Sequence, residues 1–119
     1  MIKYEESAEF KKSFKRLRKR FPSLPEDFAI VKKAVIELRH IKQINNLSTF
    51  EIPGFLSPES SCWKIKKFAC KSLKGRGVKS GLRVIYRWHE SVSKVFLVEI
   101  YFKGDQENEN RELLKKYTL

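Results

Sequence analysis

Apolar residues recur at helical spacing near the start of the chain. Phe10, Phe14, Leu17 and Phe21 fall at i, i+4, i+7 and i+11, which predicts a helix over residues 8–21 with one apolar face. Lys11, Lys12, Lys15, Arg16, Arg18, Lys19 and Arg20 fill the other faces, and Pro22 ends the run. Ser23-Leu24-Pro25-Glu26 is a capping-box pattern with proline in the first turn. A second helix then extends to about residue 42. Its stripe is Phe28, Val31, Val35 and Leu38, widened by Ile30, Ala34 and Ile41. Two amphipathic helices with so short a connection form an antiparallel hairpin.

Later the period changes from 3.6 to two. Residues 2–5 are a short strand candidate, and 43–61, with Asn45, Asn46, Pro53, Gly54 and Pro58, read as a loop. Three strands are predicted at Cys62–Cys70, Gly81–Trp88 and Lys94–Lys103. The short His89–Ser93 stretch makes the last two a hairpin, and a longer basic connection, Lys71–Ser80, joins the first two. A last helix is predicted over 105–117, with Asp105 as N-cap and acids in its first turns. The expected fold class is α+β: a helical hairpin packed on a small, mainly antiparallel sheet, with a C-terminal helix. The length suits one domain, 1–119.

Strand alternation then sorts side chains onto two faces. Trp63, Ile65 and Ala69, with Lys67, oppose Lys64, Lys66 and Phe68. Leu82, Val84, Tyr86 and Trp88 oppose Arg83, Ile85 and Arg87. Phe96, Val98, Ile100 and Phe102 oppose Val95, Leu97, Glu99, Tyr101 and Lys103. One face needs cover by the helices. The other gathers Lys64, Lys66, Arg83, Arg87, Lys103 and Tyr101. Like charges across a sheet repel, so this face reads either as a polyanion site or as a solvated surface.

Charge supports the first option. There are 26 Lys and Arg against 14 Asp and Glu, a net +12. That excess predicts salt-sensitive attraction to a polyanion. Nucleic acid, an anionic membrane or an acidic protein would all fit. No apolar run approaches the ~20 residues of a membrane span, and Met1–Glu6 carries no apolar signal core. A cytoplasmic location and no membrane partner are expected. Cys62 and Cys70, on one strand, would lie about 26 Å apart, too far for a disulfide.

Three segments together resemble a known family. Cys62-Trp63-Lys64-Ile65-Lys66 resembles the Tyr-Lys-Ile-Lys strand of RelE-type toxins. Ser80-Gly81-Leu82-Arg83-Val84-Ile85-Tyr86 resembles their Gly-Tyr-Arg-Leu-Val-Tyr strand, and Val95–Phe102 their next apolar strand. Glu99-Ile100-Tyr101-Phe102-Lys103-Gly104-Asp105 is similar to an ending found in the RelE/ParE superfamily. The resemblance implies a toxin of a type II toxin–antitoxin pair, held inactive by a cognate antitoxin that wraps it. The RelE branch cuts mRNA on the ribosome without a metal; the ParE branch poisons DNA gyrase. Operator DNA would be met only through the antitoxin complex. By position, Lys64 and Lys66 match RNA-binding and activating lysines, and Arg83 matches a phosphate-contacting arginine. Lys103 stands where the family has a later arginine, keeping charge but losing the bidentate fork. The family's late tyrosine has no counterpart in Gly104–Glu109.

Metal-free RNA cleavage needs the 2′-hydroxyl deprotonated, the leaving oxygen protonated and the phosphorane stabilised. A lysine lowered in pKa by neighbouring cations could serve as base, with Arg83 and Lys103 stabilising the transition state. Arg87 or Tyr101 could orient RNA, Tyr101 or Trp63 could stack on a base, and Lys74 and Arg76 lie on a basic loop that reads either as a mobile loop beside the substrate or as a plain connector. Trp63 fits the core better. His40 and His89 form no pair, and the Cys and His spacing matches no zinc site. No metal or cofactor is expected. Three functions stay open: a ribosome-dependent mRNA endonuclease, a toxin that inhibits a protein target such as gyrase, and a nuclease-inactive RelE-like binding domain.

Overall fold

A computed structural model of the chain describes residues 1–77 and 79–118. Five strands form one sheet in the order β1-β5-β4-β3-β2. They are β1 Lys3–Glu6, β2 Thr49–Glu51, β3 Ser61–Ile65, β4 Leu82–His89 and β5 Lys94–Phe102. All neighbours pair antiparallel except β1, which runs parallel to β5. Helix α1, Ala8–Arg20, is capped by the Ser7 hydroxyl, which accepts from the Phe10 amide. Helix α2, Leu24–Val31, continues through a π-helical stretch, Lys32–Glu37, into α3, Leu38–His40. A short α4, Arg111–Lys116, closes the fold. The architecture is α+β, a helical hairpin on a mainly antiparallel sheet with a C-terminal helix. No helix among the described residues is long and apolar enough to cross a membrane.

The helical face of the sheet carries the main core. Phe10, Leu17 and Phe21 of the first helical segment, with Leu24, Phe28, Val31, Val35 and Ile36 of the second, meet Trp63, Ile65, Leu82, Val84, Tyr86 and Trp88. Ile36, not Leu38, completes the stripe, because the wider π turn rotates the following residues. Ile41, beyond the π turn, is exposed, and Ile30, ahead of it, faces solvent as well.

Strand alternation misplaces part of β5. Ile85 pairs with Glu99, but Tyr86 pairs with Leu97, which leaves Val98 as an extra residue. The resulting bulge reverses the faces on either side of it. Val95 and Leu97 join the helical core with Ile100 and Phe102, while Val98 and Tyr101 enter a second core beneath α4, flanked by Phe96. On β3 the strand stops at Ile65 instead of Cys70, so Phe68 turns inward and is fully buried. Cys62 and Cys70 do not share that strand; both are buried and free. The expected loop 43–61 contains the edge strand β2. Asn110, not Asp105, caps the last helix, through its side chain and the Leu113 amide; Asp105 instead accepts two hydrogen bonds from Arg20.

Candidate nucleic-acid interface

The face away from the helical hairpin is not an open row of cations. A second apolar cluster of Ile52, Phe55, Cys62, Ile85, Val98, Tyr101 and Leu114 occupies its middle. The cations stand around this cluster, and register fixes their relation. Lys64 pairs with Ile85, and Ile85 with Glu99; one step along, Arg83 lies opposite Tyr101. Lys64, Arg83 and Tyr101 therefore do come together on one face, as alternation predicts.

Lys64 sits deepest. Its Nζ donates to Glu109 Oε1 at 2.8 Å, and the two side chains are only 14% and 13% exposed. The Tyr101 ring centroid lies 5.9 Å from the same Nζ. Burial, the largest single influence, depresses the Lys64 ammonium, but Glu109 and Tyr101 together outweigh it and leave the pKa above the usual lysine value. The Lys64 ammonium is thus stabilised as a cation, not tuned to be a base. Burial, again the largest single influence, raises Glu109, and Lys64, a backbone amide and the Arg111 charge together bring it below the usual carboxylate value. Beneath them the buried Glu99 carboxyl is raised by desolvation, although Gln106 and the Asn110 amide donate to it at 2.7 and 3.0 Å.

Beside Lys64 is a cleft of about 260 Å³ lined by Phe50, Lys66, Glu109 and Arg111 among others. Lys66 is exposed, with Nζ 5.1 Å from the Phe50 ring centroid. Arg83 is half-buried and donates to its neighbour's carbonyl, Leu82 O, at 3.1 Å. Lys103 follows β5, with its side chain exposed and its amide bonded to Gly81 O.

Other expected contacts lie elsewhere. Arg87 is 2% exposed. Its guanidinium donates to Ser60 Oγ and O, Ser57 Oγ and Thr118 Oγ1, so it clamps the 57–60 loop and the C-terminal end onto β4. Tyr101 is 3% exposed and offers no surface for stacking. Lys74 and Arg76 are exposed on a turn whose preceding residues are tied to the helical layer. There Ser23 and Asp27 accept from the Ser72 and Lys71 amides. Trp63 belongs to the main core. Sequence reasoning did not single out Phe50, Glu109 or Arg111 as site residues. Phe50 was hidden in an apparent loop, and Glu109 read as part of the acidic bias of a helix N-terminus.

A second cavity, about 520 Å³, opens beyond the other end of β3 and is lined by Arg39, His40, Ser61, Trp63, Trp88 and Glu90 among others. His40 stacks on Trp88 at 4.7 Å, and its Nε2 lies 2.8 Å from the Tyr86 hydroxyl. Burial, aided by Arg39, pushes its pKa down to about 4. An unfolded histidine titrates near 6.5. Below that value the unfolded chain binds a proton that the native state refuses. His40 therefore favours folding fully above pH 6.5, and its contribution falls as pH drops toward 4. Half-exposed His89 is shifted the same way. Unfolding free energy should fall by about 1–2 kcal/mol between pH 6.5 and 5, after allowance for partial exposure. His40→Gln should flatten that slope in denaturant titrations; an unchanged slope would remove His40 as its source.

No family model matches this chain, and no curated protein matches it. Among solved structures, one chain of the archaeal RelE–RelB complex from Pyrococcus horikoshii OT3 superposes with a TM-score of 0.52. The match covers 87% of this chain and 96% of that one, at 11% sequence identity. The fold is RelE-like. At that identity the likeness concerns backbone architecture, and the RelE-like frame places Lys64 on β3, Arg83 on β4 and Tyr101 on β5, side by side.

Proposed function

We propose that the protein is the toxin of a type II toxin–antitoxin pair and acts as a metal-independent, ribosome-associated mRNA endonuclease. The observation that carries this reading is the convergence of Lys64, Arg83 and the Lys66–Phe50 cleft on one face of a RelE-like sheet. Lys64 and Arg83 would hold the scissile phosphate and offset the charge that grows on the phosphorane. A firmly cationic Lys64 also suits hydrogen bonding to the departing oxygen. Lys66 and Lys103 would hold flanking phosphates, and the exposed Phe50 ring offers a stacking surface for a base. Lys74 and Arg76 extend the basic surface toward neighbouring RNA. Arg87 and Tyr101 would act from beneath by fixing the strands that carry the cations. The whole chain would work as one domain in the cytoplasm, restrained by a cognate antitoxin whose acidic groups cover the basic face. Operator DNA would be reached only through that complex.

The deciding experiment is induction of the chain in growing cells, followed by primer extension on translated mRNA. New 5′ ends inside reading frames, together with growth arrest, support the reading. Growth arrest with intact mRNA would favour a ParE-like toxin acting on a protein target such as gyrase, a reading that the burial of Lys64 under Glu109 also suits. Normal growth at high levels of folded protein would leave a nuclease-inactive binding domain.

Binding should also report its charge. If Lys64, Lys66, Arg83 and Lys103 each engage a phosphate, log Kd for single-stranded RNA should change with log salt at a slope of about 3, from ~0.7 per contact. Fluorescence anisotropy across a salt series measures it, and a flat response would strip the basic face of this role.

A further inference from the structure

We propose that the segment from Gln106 to Tyr117 is a gate over the candidate site, and that Glu109 stands at Lys64 where an RNA phosphate must bind. The inference rests on the reading of Lys64 as a phosphate ligand. At 2.8 Å from Nζ, with both side chains nearly buried, the Glu109 carboxylate holds the place at Lys64 that a phosphate would take, on the wall of the cleft that both residues line. Both are anionic oxygen acceptors, so one can replace the other without stranding the ammonium. Its charge is divided. Glu107, Glu109 and Glu112 against Arg111 give residues 106–112, the part over the site, a net charge of −2, and Lys115 and Lys116 balance it at the distal end.

Its attachment is suited to release. Of α4 only Leu114 is fully buried, with Leu113 and Tyr117 half-covered. Six residues are too few for a helix to persist on its own. The distal anchor to α1 is polar: Lys116 Nζ and Tyr117 Oη donate to the two oxygens of Glu9 at 2.8 and 2.6 Å. Both charged partners there are substantially exposed, and exposed ion pairs hold weakly. Nearer the site, Gln106 and the Asn110 amide grip Glu99. A purely structural lid over the Ile85–Val98–Tyr101 cluster would be served as well by apolar side chains, because an ion pair taken out of water recovers little net stability. Displacement would uncover a site already furnished. Phe50, Lys66 and the exposed Arg111 guanidinium line the adjoining cleft, and Arg111, freed from Glu109 at 3.5 Å, would gain a phosphate partner.

The test uses the full chain and a fluorescein-labelled single-stranded RNA oligonucleotide, read by anisotropy and accompanied by thermal unfolding. Glu109→Gln keeps an acceptor for Lys64 but surrenders its place to phosphate more readily. It should tighten RNA binding roughly tenfold, the worth of one charge-assisted contact. The log–log salt slope should stay at about 3, from ~0.7 per contact, because Lys64 engages its phosphate in both chains once the gate is displaced. Glu9→Gln loosens the distal anchor without touching the site and should tighten binding in the same direction by about two- to threefold. Tighter binding by either folded variant supports the gate, and Glu9→Gln carries the test should Glu109→Gln unfold. Unchanged or weaker binding in the folded variants overturns it. Lys64→Ala separates the two failures. If it weakens binding while the gate variants do not tighten it, the site stands and the gate falls; if it leaves binding unchanged, the phosphate reading of Lys64 falls and takes the gate with it.

Discussion

Arg83→Ala should cost on the order of 10²–10³-fold in RNA cleavage, with growth inhibition lost alongside, and should leave thermal stability within about 0.5 kcal/mol. Arg83 makes the cleaner test because its guanidinium bonds only a neighbouring carbonyl among the described residues. Truncation strands no buried partner there. Lys64→Ala should lose as much activity, but with a structural penalty of its own. It leaves the Glu109 carboxylate largely buried beside Arg111 alone. Removing one member of such a pair costs about 1–3 kcal/mol, while removing both partners can be nearly neutral. The pair Lys64→Ala with Glu109→Ala should therefore recover much of the stability and none of the activity. Cleavage by translated-mRNA primer extension and unfolding by denaturant, measured on all three variants, decide it. Full toxicity in Arg83→Ala would remove the sheet face as a nuclease site and turn the search to a protein target.

The helical hairpin and the order of strands were legible because each rests on a local period that burial enforces. Phe10, Leu17 and Phe21 lie inward for the same reason that they recur at helical spacing. Two failures of the reading each trace to a single inserted residue. The bulge at Val98 and the π turn at Lys32–Glu37 each add one residue to a repeat, and composition carries no mark of either. Lys64 and Arg83 lie on β3 and β4 before any irregularity that would separate them, so their meeting could be foreseen. Glu109 could not. It reaches Lys64 from 45 residues away, along a segment with no period to read. Arg87 shows the opposite error. Alternation gave the correct face, but the same face becomes a second core once the loop holding Ile52 and Phe55 and the α4 residue Leu114 fold over it.

That second core also explains how a chain of net +12 keeps a folded sheet at the site. Arg87 is solvated by hydroxyls and a carbonyl, with no acid bonded to it among the described residues. Lys64 takes a carboxylate, and Arg20 takes Asp105 across the α1 end. The remaining cations of α1, Lys11, Lys12, Lys15, Arg16, Arg18 and Lys19, are all exposed, where water screens their repulsion. Charge excess is thus tolerated at the surface, and a cation that the fold buries is either paired with a carboxylate, as Lys64 is, or held by neutral oxygens, as Arg87 is, which leaves the partly buried Arg83 as the cation most readily committed to a ligand.

Trp88→Ala should be the most damaging single change to stability. Trp88 is 6% exposed, lies on β4 opposite Ser61 and Val95, and stacks against His40 with ring centroids 4.7 Å apart. Truncation removes the ring from the main core and leaves a void whose walls cannot collapse, since they are sheet on one side and the α3 end on the other. Losses of this kind run to roughly 3–5 kcal/mol. The neighbouring cavity of about 520 Å³ already opens toward solvent, so water can enter the void and hold the loss near the lower end. At about 4 °C per kcal/mol for a chain of this size, the unfolding midpoint should fall by more than ~10 °C. A second readout separates core truncation from general weakening. Trp88 is part of what buries His40, whose pKa that burial drives to about 4. With the indole gone, the His40 pKa should climb back toward 6.5, and the acid-side stability slope between pH 6.5 and 5 should flatten with it. Trp88→Phe, which keeps an aromatic face over the imidazole, should lose less stability and leave His40 depressed. Calorimetry gives the first quantity and histidine NMR titration the second. A loss under 1 kcal/mol in Trp88→Ala, or a His40 that still titrates near 4, would mean that Trp88 does not wall off this end of the core.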